Sequence, residues 1–251
     1  MRKEDITERF GIEDEGDFYI TAPSPCPYLA GRQERKVFSF LGGKDAPAQN
    51  SYLTSRGFRR SQNIIYVPAC ENCDSCIPVR VVVDDFSPTK SRRRILNRNG
   101  DLTRRIRPSR ATGDQFSVLR AYLDGRHAGG GMAEMTVLDY AAMVEETAVD
   151  TMIIEYWLTD QNGMERLVAA ALTDRLADGL SMVYSFFDPD DANRSLGQYM
   201  ILDHINLAKE LDLPFLYLGY WVAGSAKMDY KARFQPLEQL TRDGWQRMDS
   251  D

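Results

Sequence analysis

Histidine is almost missing from this chain: there are 2 among 251 residues, His127 and His204. A hydrolase triad needs an imidazole beside its nucleophile, and no Ser/His/Asp arrangement is found. His204, with Ile201 and Leu207 nearby at helical spacing, reads as a packed histidine; His127, beside Gly129, Gly130 and Gly131, is open to a functional or a structural reading. Long apolar runs are missing as well. None approaches the ~20 residues that a membrane-spanning helix needs, and no internal repeat or low-complexity stretch is evident. Arg2, Lys3, Glu4 and Asp5 precede no apolar run, so no secretory signal is read. The expectation is a soluble, cytoplasmic protein, with disulfides disfavoured.

Cysteine is scarce, with 4 residues, yet all of them lie in the first third and three form a C-x2-C-x2-C run, Cys70, Cys73 and Cys76. Thiolates so spaced can turn toward one centre, to which Cys26 can add a fourth ligand of a tetrahedral zinc or an iron–sulfur cluster. The second half of a paired zinc knuckle is absent, and inert thiols near a turn are the competing reading. Acidic residues outnumber basic ones, for a net charge of −6. The distribution matters more than the total. Residues 90–110 hold nine cations, Lys90, Arg92, Arg93, Arg94, Arg98, Arg104, Arg105, Arg107 and Arg110, against Asp101 alone. This segment carries +8, which leaves −14 on the rest of the chain. A basic island on an acidic body favours an oriented polyanion over general coating of nucleic acid, and arginine's planar fork suits phosphate. A solvated charge run is the alternative.

The hydrophobic pattern gives an α/β (α+β) chain. Residues 37–41 form a short apolar run stopped by Gly42 and Gly43, and residues 52–60 end in a turn with two cations. Residues 64–67 and 79–83 read as β-branched strands flanking the cysteine turn, between Pro68 and Pro78. Ser87 or Ser91 can cap a helix that runs through the arginines to Asn99 and Gly100. Helices fit 116–125 and 137–147; strands fit 152–158, 167–172 and 182–187, joined by turns at Asn162-Gly163 and Asp178-Gly179 as two hairpins. A helix over 196–211, a strand over 215–220 and a last helix around 225–234 follow. Hairpins followed by helix, strand and helix are the order of the catalytic half of an acetyltransferase-like (GNAT) fold. The expected division is an N-terminal cysteine and basic-segment domain, 1–110, packed on a GNAT-like domain, 111–251.

In that fold the loop opening the helix presents backbone N–H groups to the pyrophosphate of coenzyme A. Here that stretch is Arg194-Ser195-Leu196-Gly197-Gln198-Tyr199, and a tyrosine where a small residue is wanted crowds a close phosphate approach. A different acyl carrier at this helix start is favoured. The densest motif is Leu218-Gly219-Tyr220-Trp221-Val222-Ala223-Gly224-Ser225-Ala226-Lys227-Met228-Asp229-Tyr230-Lys231, at the end of a strand where open α/β sheets place ligands. Lys227 and Lys231, four apart, share one face if the segment is helical. Aromatic walls with two cations suit a ribose-phosphate end or a carboxylate.

Together with Cys26-Pro27-Tyr28-Leu29, Gly31-Arg32, Gly57-Phe58-Arg59-Arg60-Ser61, Tyr66-Val67-Pro68, Arg80-Val81, Phe86-Ser87-Pro88, Ser91-Arg92-Arg93 and Pro236-Leu237-Glu238, these motifs resemble the arginyl-tRNA–protein transferase family, in its bacterial aspartate/glutamate leucyltransferase branch. The resemblance runs in order along nearly the whole chain. It implies transfer of an amino acid from its tRNA to the N-terminus of a protein beginning with Asp or Glu, marking that protein for degradation. Ala223-Gly224-Ser225 stands where the eukaryotic arginyl branch has His-Ser-Cys, which favours leucine as the donor residue over arginine. The residues expected to carry the reaction are Tyr220, Trp221 and Ser225. Arg59, Arg80, Lys227, Tyr230 and Lys231 are expected at the substrates, with Arg80 the acceptor's carboxylate partner. Lys90, Arg92, Arg93, Arg94, Arg194 and Gly197 are expected at the tRNA.

No strong base is required, because the ester is activated and an α-amine of pKa about 7.7 to 8.0 is partly neutral at pH 7. No cofactor is expected for the chemistry, which rests on positioning and on donors at the developing oxyanion. Competing readings are a coenzyme A-dependent N-acetyltransferase and a non-enzymatic zinc-knuckle RNA-binding module.

Overall fold

A computed structural model of the chain describes residues 11–12, 17–126 and 134–248. Its centre is an eight-stranded sheet. In chain order the strands of that sheet are β7 (Ile77–Val82), β8 (Leu102–Pro108), β9 (Thr151–Thr159), β10 (Glu165–Arg175), β11 (Gly179–Phe187), β12 (Phe215–Trp221), β13 (Leu237–Thr241) and β14 (Gly244–Arg247). Across the sheet they run β14-β13-β7-β12-β11-β10-β9-β8. The two expected hairpins, β9 with β10 and β10 with β11, are antiparallel. β11 and β12 are parallel, so they need a crossover, and α5 (Leu196–Glu210) provides it.

Helices cover both faces of this sheet. On one, α5 and α2 (Lys90–Arg98) bury Tyr199, Met200, Ile205 and Ile95 against Val79, Ile154, Val168 and Leu216. On the other, α3 (Gly113–Arg126) and α4 (Val137–Glu145) bury Leu119, Leu123, Tyr140 and Val144 against Ile153, Ala170, Leu172 and Phe186. The alternation of Ile153 with Ile154, and of Ala170 with Ala169 and Ala171, sends neighbours to opposite cores.

A second, four-stranded sheet has the order β1-β4-β6-β5, built from β1 (Tyr19–Ile20), β4 (Lys36–Phe40), β5 (Arg59–Ser61) and β6 (Ile64–Pro68). The pair β2 (Ser24–Pro25) and β3 (Gln33–Glu34) stands apart. One face of the four-stranded sheet, with Val37, Ile65 and Val67, is buried with Leu53 of α1 (Ala46–Ser55). A buried ion pair joins the two sheets. Arg60 donates to both carboxylate oxygens of Asp174 on β10, at 2.6 and 2.7 Å, with both side chains 1% exposed. Asn50 and Thr151 donate to the same carboxylate; removing one partner of such a pair costs about 3 to 5 kcal/mol.

The expected boundary at residue 110 does not separate the sheets. β7 lies between β12 and β13, and β8 extends the large sheet at its β9 edge. The cysteine turn therefore links two sheets, with β6 in one and β7 in the other. The arginine segment is a helix capped by Thr89, not by a serine, followed by β8. The expected last helix is only a 3₁₀ turn, Asp229–Arg233, after which β13 and β14 form a hairpin.

Candidate active site

β11 and β12 part soon after they meet. Their register holds from Gly179↔Phe215 to Ser181↔Tyr217 and ends there, although β11 continues to Phe187 and β12 to Trp221. On its other side β12 slips register against β7 between Tyr217 and Gly219, where Gly219 has φ +78°. Into this opening β5 sends Arg59, whose Nη2 donates to the carbonyls of Met182 at 2.8 Å and Val183 at 3.2 Å. Its Nη1 is buried without an acceptor. The guanidinium lies on Gly219 so closely that a Cβ there would stand 2.4 Å from Nη1. Gly219 is thus needed both for its left-handed backbone and for the room it leaves.

Lys231 is 7% exposed, and its Nζ donates to the carbonyl of Tyr220 at 2.6 Å. Burial, with the Arg59 charge second, pushes its ammonium down to about 7. A lysine so placed is part neutral at pH 7 and can accept a proton. Lys227, in contrast, is exposed. The two do not share a helix face as expected: Lys231 lies in the 3₁₀ turn Asp229–Arg233, and Lys227 precedes it. Tyr220 is buried and donates to the carbonyls of Gly57 at 2.9 Å and Tyr66 at 3.2 Å; burial raises its phenol well above the ordinary value. Its oxygen is committed to holding β12 on the four-stranded sheet. The indole Nε1 of Trp221 is buried without an acceptor. Ser225 is buried, and its carbonyl receives the N–H groups of Met228 and Asp229, closing the turn before Lys231. Tyr230 is 39% exposed. Tyr28, held up to about 12 by burial and then by Tyr66, also lies within reach of the Arg59 charge.

Arg80 is fully engaged within the protein. It donates from Nε and Nη2 to Glu238, both at 2.9 Å, and from Nη1 to Tyr217. Its guanidinium is stacked 3.4 Å from the Phe215 ring centroid and 4.3 Å from that of Trp245. The expected carboxylate partner has no free fork to offer. The basic island is likewise partly answered by acids: Arg104 pairs with Asp203 and Glu210, Arg105 with Glu165 and Arg107 with Glu155. Arg92 is 8% exposed between the rings of Phe86 and Phe234. Lys90, Arg93 and Arg94 are exposed at the start of α2, with Arg93 donating to the Pro88 carbonyl. The end of α2 touches the entry to α5: Arg98 and Asn99 donate to the carbonyls of Asn193 and Arg194. Arg194 forms a fork with Asp101 at 2.8 and 2.9 Å. Gly197 opens α5 beside the Phe187 ring. Tyr199 does not crowd that helix start, since its ring is turned into the core against Tyr156.

His204 is the packed histidine expected. It is fully buried between Met200 O at 2.6 Å and Thr173 Oγ1 at 2.9 Å, and burial pushes its imidazole down to about 4. His127 lies outside the described residues.

The thiols gather in one corner. Burial, then the nearby Cys70, Cys26 and Cys73, raises the Cys76 thiol to about 12, while hydrogen bonds from Ser75 lower that of Cys73. Among the described residues no three Cys, His, Asp or Glu side chains stand close enough to share one ion. As it stands the donor set does not fit a metal centre, and no step below passes through one. A cavity of about 970 Å³ opens between this corner and the β13–β14 hairpin, lined by Pro68, Cys70, Cys73, Cys76 and Arg242 among others.

Hairpins, then the crossover helix α5 and the parallel strand β12, give the acetyltransferase-like fold expected from the order of elements. The signature described as Arginine-tRNA-protein transferase, N terminus, matches residues 24–94, and that described as Arginine-tRNA-protein transferase, C terminus, matches residues 114–241. Curated relatives agree along nearly the full length. An aspartate/glutamate leucyltransferase of Methylorubrum extorquens is 57% identical over 242 residues, 94% of this chain and 98% of that protein. One of Parvibaculum lavamentivorans is 58% identical over 228 residues, 91% of this chain and 93% of that protein. Among solved structures the chain is similar to that titled "The structure of L-PGS from Bacillus licheniformis", with a TM-score of 0.47 and 14% identity over 90% of this chain and 78% of that one. The chain belongs to the arginine-tRNA-protein transferase family.

Proposed function

We propose that this protein moves leucine from leucyl-tRNA onto the α-amine of a protein that begins with Asp or Glu, an acceptor so extended being marked for degradation. The observation that carries the reading is its near-full-length similarity to aspartate/glutamate leucyltransferases. In the reaction the acceptor amine attacks the ester carbonyl, an amide C–N bond forms, the ester C–O bond breaks, and the ribose hydroxyl leaves. The amine loses a proton and the ribose oxygen gains one. Lys231, buried and part neutral at pH 7, is the proposed proton carrier between them. Arg59, with an unanswered donor between the parted strands, is proposed in place of Arg80 as the partner of the acidic side chain. The exposed Lys90, Arg93 and Arg94 at the start of α2 are proposed to receive tRNA phosphates. No cofactor enters this scheme.

The inward turn of Tyr199 removes the steric objection to coenzyme A, so acetyl-CoA is a required control. The test is incubation with leucyl-tRNA, arginyl-tRNA or acetyl-CoA and a peptide beginning with Asp, followed by mass analysis. Leucine addition supports the proposal. Arginine or acetyl addition in its place moves the donor assignment.

A further inference from the structure

One face of the four-stranded sheet carries an unbroken cross-strand row. Arg59 stands opposite Tyr66, Tyr66 opposite Phe38, and Phe38 opposite Tyr19, and residues directly opposite point to the same face. The other face is the one buried on α1; this one runs from Arg59 in the parted strands over the half-buried Tyr66 and Phe38 out to solvent. At its far end Tyr19 is 47% and Phe40 57% exposed. These two rings and Phe38 pack together with centroids 5.5 to 5.8 Å apart. At the near end Tyr66 meets the ring of Tyr220 at 6.4 Å.

We propose that this row seats the N-terminal segment of the acceptor protein, with the first side chain at Arg59 and the next residues extended across Tyr66 and Phe38 to Tyr19 and Phe40. It rests on the acceptor reading given above and deepens it. Continuity is the first reason, since Arg59 belongs to the row and to the parted strands at once. Charge is the second. Lys36, two residues before Phe38 on the same face, stands 5.2 Å from the Tyr66 ring centroid and is held by Glu34 at 2.9 Å, so it is already answered by a carboxylate. Exposed cations for RNA lie on α2 instead. Reach is the third. Three inter-strand steps of about 4.8 Å make about 14 Å, which an extended chain covers in about four residues. Aromatic faces also bury varied side chains with little demand on sequence, as suits acceptors that share only their first residue.

The test compares leucine transfer from leucyl-tRNA to an Asp-Ala dipeptide, to a six-residue peptide with Asp followed by apolar residues, and to one with Asp followed by Gly and Ser. The wild type should show the lowest KM for the apolar peptide. In the Tyr19→Ser, Phe40→Ser double variant that KM should rise about 3- to 10-fold, with the dipeptide and leucyl-tRNA unaffected. A rise in the KM for leucyl-tRNA alone would identify the row as an RNA platform and overturn the proposal; so would no change in any substrate. If the variant does not fold, the wild type decides the matter. A photoreactive residue at position 4 of the acceptor should label β1 or β4, and label confined to α2 overturns the inference. Absence of any leucine transfer by the wild type, even to the dipeptide, would instead remove the acceptor reading itself.

Discussion

Gly219 gives a way to move Arg59 without altering it. An alanine Cβ at this position would lie 2.4 Å from Nη1, 2.5 Å from Cζ and 2.8 Å from Nε of Arg59, all closer than van der Waals contact permits. Either the guanidinium leaves the parted strands or β12 shifts, and a side chain at φ +78° adds about 1 to 2 kcal/mol of backbone strain. Departure breaks the hydrogen bonds to Met182 and Val183. If Arg59 reads the acceptor's carboxylate, a charge-assisted hydrogen bond of about 1.5 to 3 kcal/mol is lost. This corresponds to about 10- to 150-fold in the preference for Asp over Asn peptides. Arg59→Met should give the same loss directly, and Arg59→Lys should restore only part of it, because a lysine keeps the charge without the planar fork. The assay is steady-state kcat/KM on paired Asp and Asn peptides at saturating leucyl-tRNA, with thermal unfolding run beside it to establish that each variant is folded. Folded Gly219→Ala and Arg59→Met proteins that both keep the wild-type Asp-to-Asn ratio would refute the assignment.

The other expectations concern protons, phosphates and thiols. Lys231 has a folded value near 7 against about 10.4 unfolded, so it is more fully neutral as pH rises through 7. kcat should climb through that pH in the wild type, whereas Lys231→Met should lose the limb and about 10²- to 10⁴-fold in kcat; a variant with the wild-type profile excludes Lys231 as proton carrier. Its low value also means that the native state gains stability between pH 7 and about 10.4, where only the unfolded chain still binds the proton. Replacing Lys90, Arg93 and Arg94 with Ala should flatten the salt dependence of tRNA binding by up to ~0.9 log units per lost contact; an unchanged slope removes α2 from the interface. In metal-free protein Cys73 should be alkylated first and Cys76 last, following their lowered and raised thiols. Protection of all four thiols together on addition of zinc or reconstitution of an iron–sulfur cluster, the ligand expected from the cysteine spacing, would overturn this reading. Metal-free protein from both aerobic and anaerobic purification, with graded reactivity after zinc addition, leaves only the free-thiol reading.

The hairpins β9–β10–β11 and the helix α5 could be read from the chain because their apolar periods are clean and Asn162-Gly163 and Asp178-Gly179 break them. Other elements hide their period. In β8, Arg104, Arg105 and Arg107 make a strand look like a charged tail, and the acids that answer them come from β9, β10 and α5. α1 begins with Ala46-Pro47 and carries Asn50, Ser51 and Thr54, so its buried side is partly polar and gives little amphipathic signal. The site was legible by composition and less so by geometry. Lys231 reads like Lys227 in sequence, and only burial next to Arg59 distinguishes them. Arg59 itself reads in sequence as part of a short cationic turn but opens β5, and its partners Met182 and Val183 are more than 120 residues on, a distance no local pattern spans. Arg80 pointed the other way: a cation beside a motif looked available until Glu238, Tyr217 and two rings were found around it.

The central claim is tested most directly by leucyl-tRNA carrying labelled leucine, supplied with a mixture of two otherwise identical peptides that begin with Asp and with Asn, and read by mass spectrometry after a single time course. Labelled leucine on the Asp peptide, with the Asn peptide far behind and no addition from arginyl-tRNA in a parallel reaction, is the predicted result. Equal labelling of both peptides, or addition of arginine in preference to leucine, would contradict it.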